Sequence, residues 1–183
     1  MAGWPNENKI HGNLRNGLGS STTKLKCLRI NMQHSRVATA NLVKIMEEEG
    51  TDVVSIQKPY NIGRTIVGIP RIYTVLSAGE GKKRAAVVIN SKKADAIIIT
   101  QISDENATVV ELRLGRATIV LASMYFDIKR PIEDDLKKMQ AVLNHTKGIA
   151  TIFAIDSNCR PTSWKDVITN KRGRAVEEFV AAN

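Results

Sequence analysis

Two rhythms of apolar residues run along this chain. Leu25, Cys27, Leu28 and Ile30 make a short apolar run that closes on Asn31, the pattern of a strand carrying a polar residue to its C-terminal edge. Ala38, Leu42, Ile45 and Met46 then recur at helical spacing between Val37 and Glu49, and Gly50 supplies the stop. Residues 52–57 (DVVSIQ) predict the next strand, closed by Lys58 and Pro59. Residues 71–76, 84–89 and 96–100 are further β-branched or apolar runs, while 108–114 and 117–124 flank Gly115 and Arg116 as in a hairpin. A second helix is predicted from Pro131 to about Lys147 on the stripe Ile132, Leu136, Met139 and Leu143, with Glu133, Asp134 and Asp135 at its positive N-terminus and Gly148 after it. The uninterrupted apolar run 149–155 fits a strand buried on both faces, and it delivers Asp156, Ser157 and Asn158. A last helix, 174–182, carries Ala175, Val176, Phe179 and Val180 with no strand after it to cover them.

This order predicts an α/β sandwich with mixed sheets over residues 24–183. Residues 1–23, rich in Asn, Gly, Ser and Thr and without periodicity, predict a flexible leader. A length of 183 residues suits one domain plus a tail, and a 43% hydrophobic content supplies a real core. Cys27 and Cys159 lie too far apart in sequence to read as a metal-ligand pair, and Cys27 reads as a small buried hydrophobe. Neither a secretory h-region nor an apolar stretch of membrane-spanning length is present, so the expectation is an intracellular chain with no membrane partner.

Charge changes the picture more than composition does. The 27 Lys and Arg against 18 Asp and Glu give a net charge of +9, which favours polyanions and nucleic acid first. Aromatic residues, at 4%, are too scarce for a surface built on base stacking. Two basic clusters are candidates for DNA contact: Lys82, Lys83 and Arg84 between two strands, and Lys171, Arg172 and Arg174 at the start of the last helix. Either could equally be a solvated loop. Polar residues at strand ends are where an α/β protein places a site, and here these are Asn31, Tyr125, Asp156 and Asn158. Asp156 could act as a general base or bind a hard cation; with Asn158 it could also simply form an Asx-turn. No Ser-His-Asp set, Walker loop or Cys/His metal cluster is visible, and His145 falls in the last helical turn, where a cation suits the dipole.

Four blocks taken together carry a resemblance: Arg29–His34 (RINMQH), Asp52–Tyr60 (DVVSIQKPY), Ser123–Tyr125 (SMY) and Phe153–Asn158 (FAIDSN). Their order and spacing resemble the endonuclease/exonuclease/phosphatase superfamily, in particular the apurinic-endonuclease-like domain of non-LTR (LINE) retrotransposons and the telomeric-repeat-targeting TRAS lineage. The resemblance implies a four-layered α/β sandwich of the DNase I-like type and Mg²⁺-dependent nicking of DNA. It also implies a reverse transcriptase domain in the parent polyprotein and a nuclear place of action. Asn31 would help shape the metal site, Tyr125 would contact the scissile phosphate, Asp156 would activate the attacking water, and Asn158 would position phosphate. Two departures stand out. The family's metal-ligand Glu is Lys58 here, and an ammonium cannot ligate Mg²⁺. The family's later Ser-Asp-His block has no counterpart in 24–183, so the domain is expected to be incomplete at its C-terminus and its nicking impaired. A DNA-binding remnant without cleavage and a superfamily phosphatase are the alternative readings.

Overall fold

Alternation along one strand divides the molecule into its layers. In β2 (Lys24–Asn31), Leu28 and Ile30 point to one side and Leu25 and Cys27 to the other, so each side has a different core to join. The computed structural model describes residues 8–13, 24–90, 94–159 and 170–183. β2 is followed by α1 (Arg36–Glu49), β3 (Val53–Gln57), a small hairpin of β4 (Asn61–Ile62) and β5 (Thr65–Ile66), then β6 (Thr74–Leu76) and β7 (Ala85–Ile89). β8 (Asp95–Ile98), β9 (Ala107–Leu114), β10 (Ala117–Tyr125), α2 (Ile132–His145), β11 (Ala150–Asp156) and α3 (Lys171–Ala182) complete the order. The strand preceding β2, β1 (Asn8–Asn13), pairs with it antiparallel.

One sheet runs β1-β2-β3-β7-β6 and the other β11-β10-β9-β8. Leu25, Val53, Val87, Ile89, Val110, Leu112, Ile119 and Leu121 fill the space between the sheets. α1 covers the outer face of the first sheet through Leu42 and Met46 against Leu28, Ile30, Val54 and Ile56. α2 and α3 cover the outer face of the second through Met139, Val142 and Val176 against Val120, Ala122 and Met124. The result is a four-layered α/β sandwich, as the resemblance implied.

Local signals account for most boundaries. Ser35 caps α1 by accepting from the Ala38 amide, and Gly50 ends it in the left-handed region at φ 61°. Gly115, at φ 61°, turns β9 into β10, with Leu114 opposite Ala117. Asn170 caps α3 by accepting from the Gly173 amide, which starts that helix three residues before its apolar stripe suggested. The run at 71–76 keeps only Thr74–Leu76 as strand, because Tyr73 closes a turn onto the Pro70 carbonyl.

Three expectations are corrected. The stretch 1–23 contributes a strand at Asn8–Asn13, and its remaining residues lie outside the described ones. That strand is specified by main-chain pairing to the edge of β2, which leaves no apolar period to read. β11 is not buried throughout: both of its faces are packed, by Ile152 and Ala154 on one and Phe153 and Ile155 on the other. Among the described residues, though, it pairs only with β10, so its lateral edge is open. The stripe of α3 is not left bare either, since Val176 is 2% exposed and Phe179 packs beside it, with Val180 alone outward at 61%.

Val176→Ala should therefore lower unfolding stability by about 1.5–2.5 kcal/mol, two buried carbons at ~0.8 kcal/mol each plus a cavity contribution. Val180→Ala should stay within about 0.5 kcal/mol of the parent. Urea unfolding of both variants checks this, and equal losses would refute the packing of α3.

Candidate functional site at one edge of the sandwich

The core between the sheets changes from apolar to polar toward one edge. β2, β3, β10 and β11 all end there, and β7 and β9, running the opposite way, begin there. Asn31 lies opposite Gln57, Gln57 opposite Ala85, and Tyr125 opposite Asp156. Gln57, fully buried, has its Nε2 2.9 Å from Ser55 Oγ, 3.2 Å from Ser123 Oγ and 3.0 Å from the Ala154 carbonyl. Ser123 Oγ donates to the Ile56 carbonyl at 3.1 Å, and Thr108 Oγ1 to the Ala85 carbonyl at 3.1 Å. These bonds tie the two sheets together immediately beneath the strand ends.

Asp156 is the centre of the edge. Its Oδ2 accepts from Asn31 Nδ2 at 2.7 Å and faces Lys58 Nζ at 3.6 Å. Asn31 Oδ1 accepts from the Gln33 amide at 3.0 Å, which fixes the orientation of that side chain. The Lys58 ammonium sits 4.9 Å from the centre of the Tyr125 ring and the Arg84 guanidinium carbon 5.6 Å from it, so two cations share one π face system. Arg84 also pairs with Asp127. Asp127 is held below the usual carboxylate range by the Lys129 amide first and by Arg84 after it. Arg29, two residues before Asn31 on the same face of β2, is largely buried. Burial draws its guanidinium below the ordinary range, and the Asp156 carboxylate opposes that shift.

The backbone around this edge is strained. Among the described residues, the non-glycine positions with positive φ are Gln33 at 48°, His34 at 58°, Lys58 at 48° and Asn158 at 48°, and all four flank it. Such positions cost of order 1–3 kcal/mol each and persist where surrounding bonds overdetermine them. Those bonds are present: the Lys58 amide donates to the Arg84 carbonyl at 2.7 Å, and the Lys58 carbonyl accepts from the His34 amide at 2.8 Å. His34 Nδ1–H donates to the Pro59 carbonyl at 3.0 Å, a partner that can only accept. Asn158 Nδ2 donates to the Phe126 carbonyl at 2.7 Å and so fastens the end of β11 to that of β10.

The structure thus brings Asn31, Lys58, Tyr125 and Asp156 together, with Asn158 bracing them. The basic residues divide. Lys82, Lys171 and Arg174 are exposed. Lys83 donates to the Gly79 carbonyl, and the loop around it is anchored by Glu105, which accepts from the Glu80 and Gly81 amides at 2.8 and 2.7 Å. Arg84 belongs to the edge itself. Arg172 is turned inward: it donates to the Arg130 carbonyl at 2.7 Å and lies 3.5 Å from Asp135, a buried residue of α2. Arg29 and Gln57 escaped notice in the sequence because a polar residue inside a strand gives no periodic signal; their place two residues before Asn31 and one before Lys58 was the only cue.

These residues do not suit a divalent cation. A metal wants several oxygen ligands. Here Asp156 is the carboxylate at the centre, with Oδ2 already engaged by Asn31 and Lys58. The Arg29 Nε is a buried donor without a partner, the opposite of what a cation needs. Among the described residues no group of three His, Cys, Asp or Glu could hold a metal ion. Both cysteines are free, and burial, reinforced by Asp52, pushes the Cys27 thiol up to about 11, which removes it from nucleophilic chemistry.

The endonuclease domain of TRAS1, a telomere-specific non-LTR retrotransposon, superposes on this chain with a TM-score of 0.78 at 26% identity, covering 86% of this chain and 70% of that one. The fold is that of the endonuclease/exonuclease/phosphatase superfamily. An AP endonuclease from Leishmania major shares the superfamily fold at a TM-score of 0.64 and 14% identity, covering 86% of this chain and 66% of that one. A putative 115 kDa protein of the type-1 retrotransposable element R1DM of Drosophila melanogaster is 20% identical over 167 residues, 87% of this chain. The chain spans 16% of the length of that protein. No family model matches the chain.

Asp135 gives this fold a measurable pH signature. Burial raises its pKa from 3.8 to about 6, against the lowering pull of Arg172 and Arg130. A carboxyl whose folded pKa is raised favours the folded state at low pH and loses that contribution as pH rises from about 4 through about 6. The stability of the parent minus that of Asp135→Asn should therefore fall across this window. Parallel chemical denaturations from pH 3.5 to 7 check it, and a difference that stays flat would refute the buried placement.

Proposed function

We propose that this chain is the DNA-acting domain of a non-LTR retrotransposon protein, and that the strand-end edge engages the phosphodiester backbone of target DNA. The observation that carries the reading is the meeting of Asn31, Lys58, Tyr125 and Asp156 at one edge of the superfamily fold. The likeness to the TRAS1 endonuclease domain supports it, as does a net charge of +9. In this reading Asp156 is the group that takes the proton from an attacking water. Asn31 orients its carboxylate, Tyr125 meets the phosphate, and Asn158 keeps the end of β11 in place. Lys82, Lys171 and Arg174, exposed and cationic, meet flanking phosphates. A reverse transcriptase domain in the parent polyprotein and a nuclear place of action follow from the same reading.

Mg²⁺ is the ion such nucleases are expected to use, and the residues of this edge do not fit it. The Lys58–Asp156 pair therefore favours a second reading, in which the domain holds DNA with little or no cleavage. Losing one well-placed electrostatic stabiliser of a developing charge typically costs about 10²–10³ in rate. Among the described residues no helix is long and apolar enough to cross a membrane, and no membrane role enters the proposal.

Binding to duplex DNA should be tolerant of sequence and steep in salt, with a log–log slope of about −4 to −5 if about five phosphates are neutralised. A supercoiled plasmid incubated with the chain and Mg²⁺ should stay largely un-nicked. A flat salt titration would remove the DNA reading. Robust Mg²⁺-dependent nicking that Asp156→Ala abolishes would instead establish an active endonuclease and remove the impaired one.

A further inference from the structure

We propose that the strand-end edge is a phosphate-binding site in which the Lys58 ammonium takes the place of a divalent cation, so that this chain grips a phosphodiester without metal. The proposal rests on the nucleic-acid reading above and specifies the chemistry of its contact. Three cationic side chains, Arg29, Lys58 and Arg84, meet two carboxylates, Asp127 and Asp156, at this edge. Asp127 is matched by Arg84, which leaves Asp156 facing Lys58 at 3.6 Å with Arg29 behind it. The edge carries one positive charge in excess, and such a site recruits an anion and repels a second cation.

The geometry suits that task. The Lys58 side chain is 24% exposed and that of Arg84 38%, so both cations are reachable from solvent while held over the Tyr125 ring. An ammonium has three N–H donors, and one carboxylate neighbour does not exhaust them. Lys58 is also placed by its backbone. At φ 48°, it is pinned by hydrogen bonds to Arg84 on one side and His34 on the other, so the root of a normally flexible side chain is fixed at the strand end. A solvated surface lysine needs no such constraint. Arg29, its Nε buried and unpartnered, adds positive potential at the Asp156 carboxylate.

The test uses the chain, Lys58→Gln, Lys58→Glu and the charge-preserving Lys58→Arg, each first shown folded by circular dichroism. In EDTA, inorganic phosphate should shift the backbone amide resonances of Asn31, Lys58 and Tyr125 in the parent and in Lys58→Arg, but not in Lys58→Gln. The affinity for a duplex oligonucleotide should change less than about twofold between EDTA and Mg²⁺ at matched ionic strength. It should fall about tenfold in Lys58→Gln, the loss expected for one charge-assisted contact. Mn²⁺ should leave those resonances sharp in the parent and broaden them in Lys58→Glu, where a second carboxylate joins Asp156. Phosphate that moves none of these amides, duplex binding by the parent that needs Mg²⁺, or Mn²⁺ broadening in the parent would each overturn the proposal. Phosphate bound at the edge by a chain that ignores duplex DNA would uphold this site and overturn the nucleic-acid reading. Duplex binding indifferent to all three substitutions would do the reverse.

Discussion

The amide of Gln57 is the contact on which the arrangement of this molecule turns. It lies fully buried at the last position of β3 and reaches across the gap between the sheets to Ser123 and the Ala154 carbonyl. Apolar packing alone would let two sheets slide, because the hydrophobic effect is not directional. A buried amide that must find partners does not permit sliding: leaving its donors unmet costs about 1–3 kcal/mol. With Ser123 bonded to Ile56 and Thr108 to Ala85, the seam sets the height of one sheet against the other. That height brings Asn31, from the first sheet, within 2.7 Å of Asp156, from the second.

Among the described residues, the non-glycine backbone strain gathers above the seam, beside the Lys58–Asp156 and Arg84–Asp127 pairs. Left-handed residues occur at Gln33, His34, Lys58 and Asn158, where short connections leave the strand ends. Their hydrogen bonds run between different strands' ends, so each connection holds the next. Strain held at one edge requires stability supplied elsewhere. The three apolar layers, among them the closely packed Val53, Leu112, Leu42 and Val176, supply it. Lys58 stands at the centre of this edge. Its ammonium faces Asp156 and lies over the Tyr125 ring.

The second sheet is joined to the same edge by a different device. Arg172, at the start of α3, donates to the Arg130 carbonyl and approaches Asp135 in α2. Asp127, in the loop leading to α2, pairs with Arg84. A chain of hydrogen bonds and ion pairs therefore runs from α3 through the α2 entry loop, where Arg172 also approaches the Asp127 carbonyl at 3.4 Å, to the cations over Tyr125. Arg172 looked in the sequence like one more cation for DNA; its burial makes it part of this brace.

Much of this was legible in the sequence because local physics wrote it there. The spacing of Leu42 and Met46 made α1, the turn at Gly115 made the β9–β10 hairpin, and the polar residues closing apolar runs marked Asn31, Tyr125 and Asp156 as site candidates. The Lys at position 58 and the four motif blocks were visible as plain text. What the sequence could not disclose were features created by pairing across distance. β1 exists through main-chain bonds to β2, and β11 is an edge strand because β10 is its one described neighbour. Arg29 and Gln57 acquired roles only when the sheets met, and Arg84 and Arg172, alike as basic residues in a row, were separated by which carboxylate each could reach. Periodicity records which face of an element seeks a core, and turn residues record where the chain must bend. Neither records which two polar groups will be left facing each other once distant strands have come into register, and that was decided by the tertiary structure.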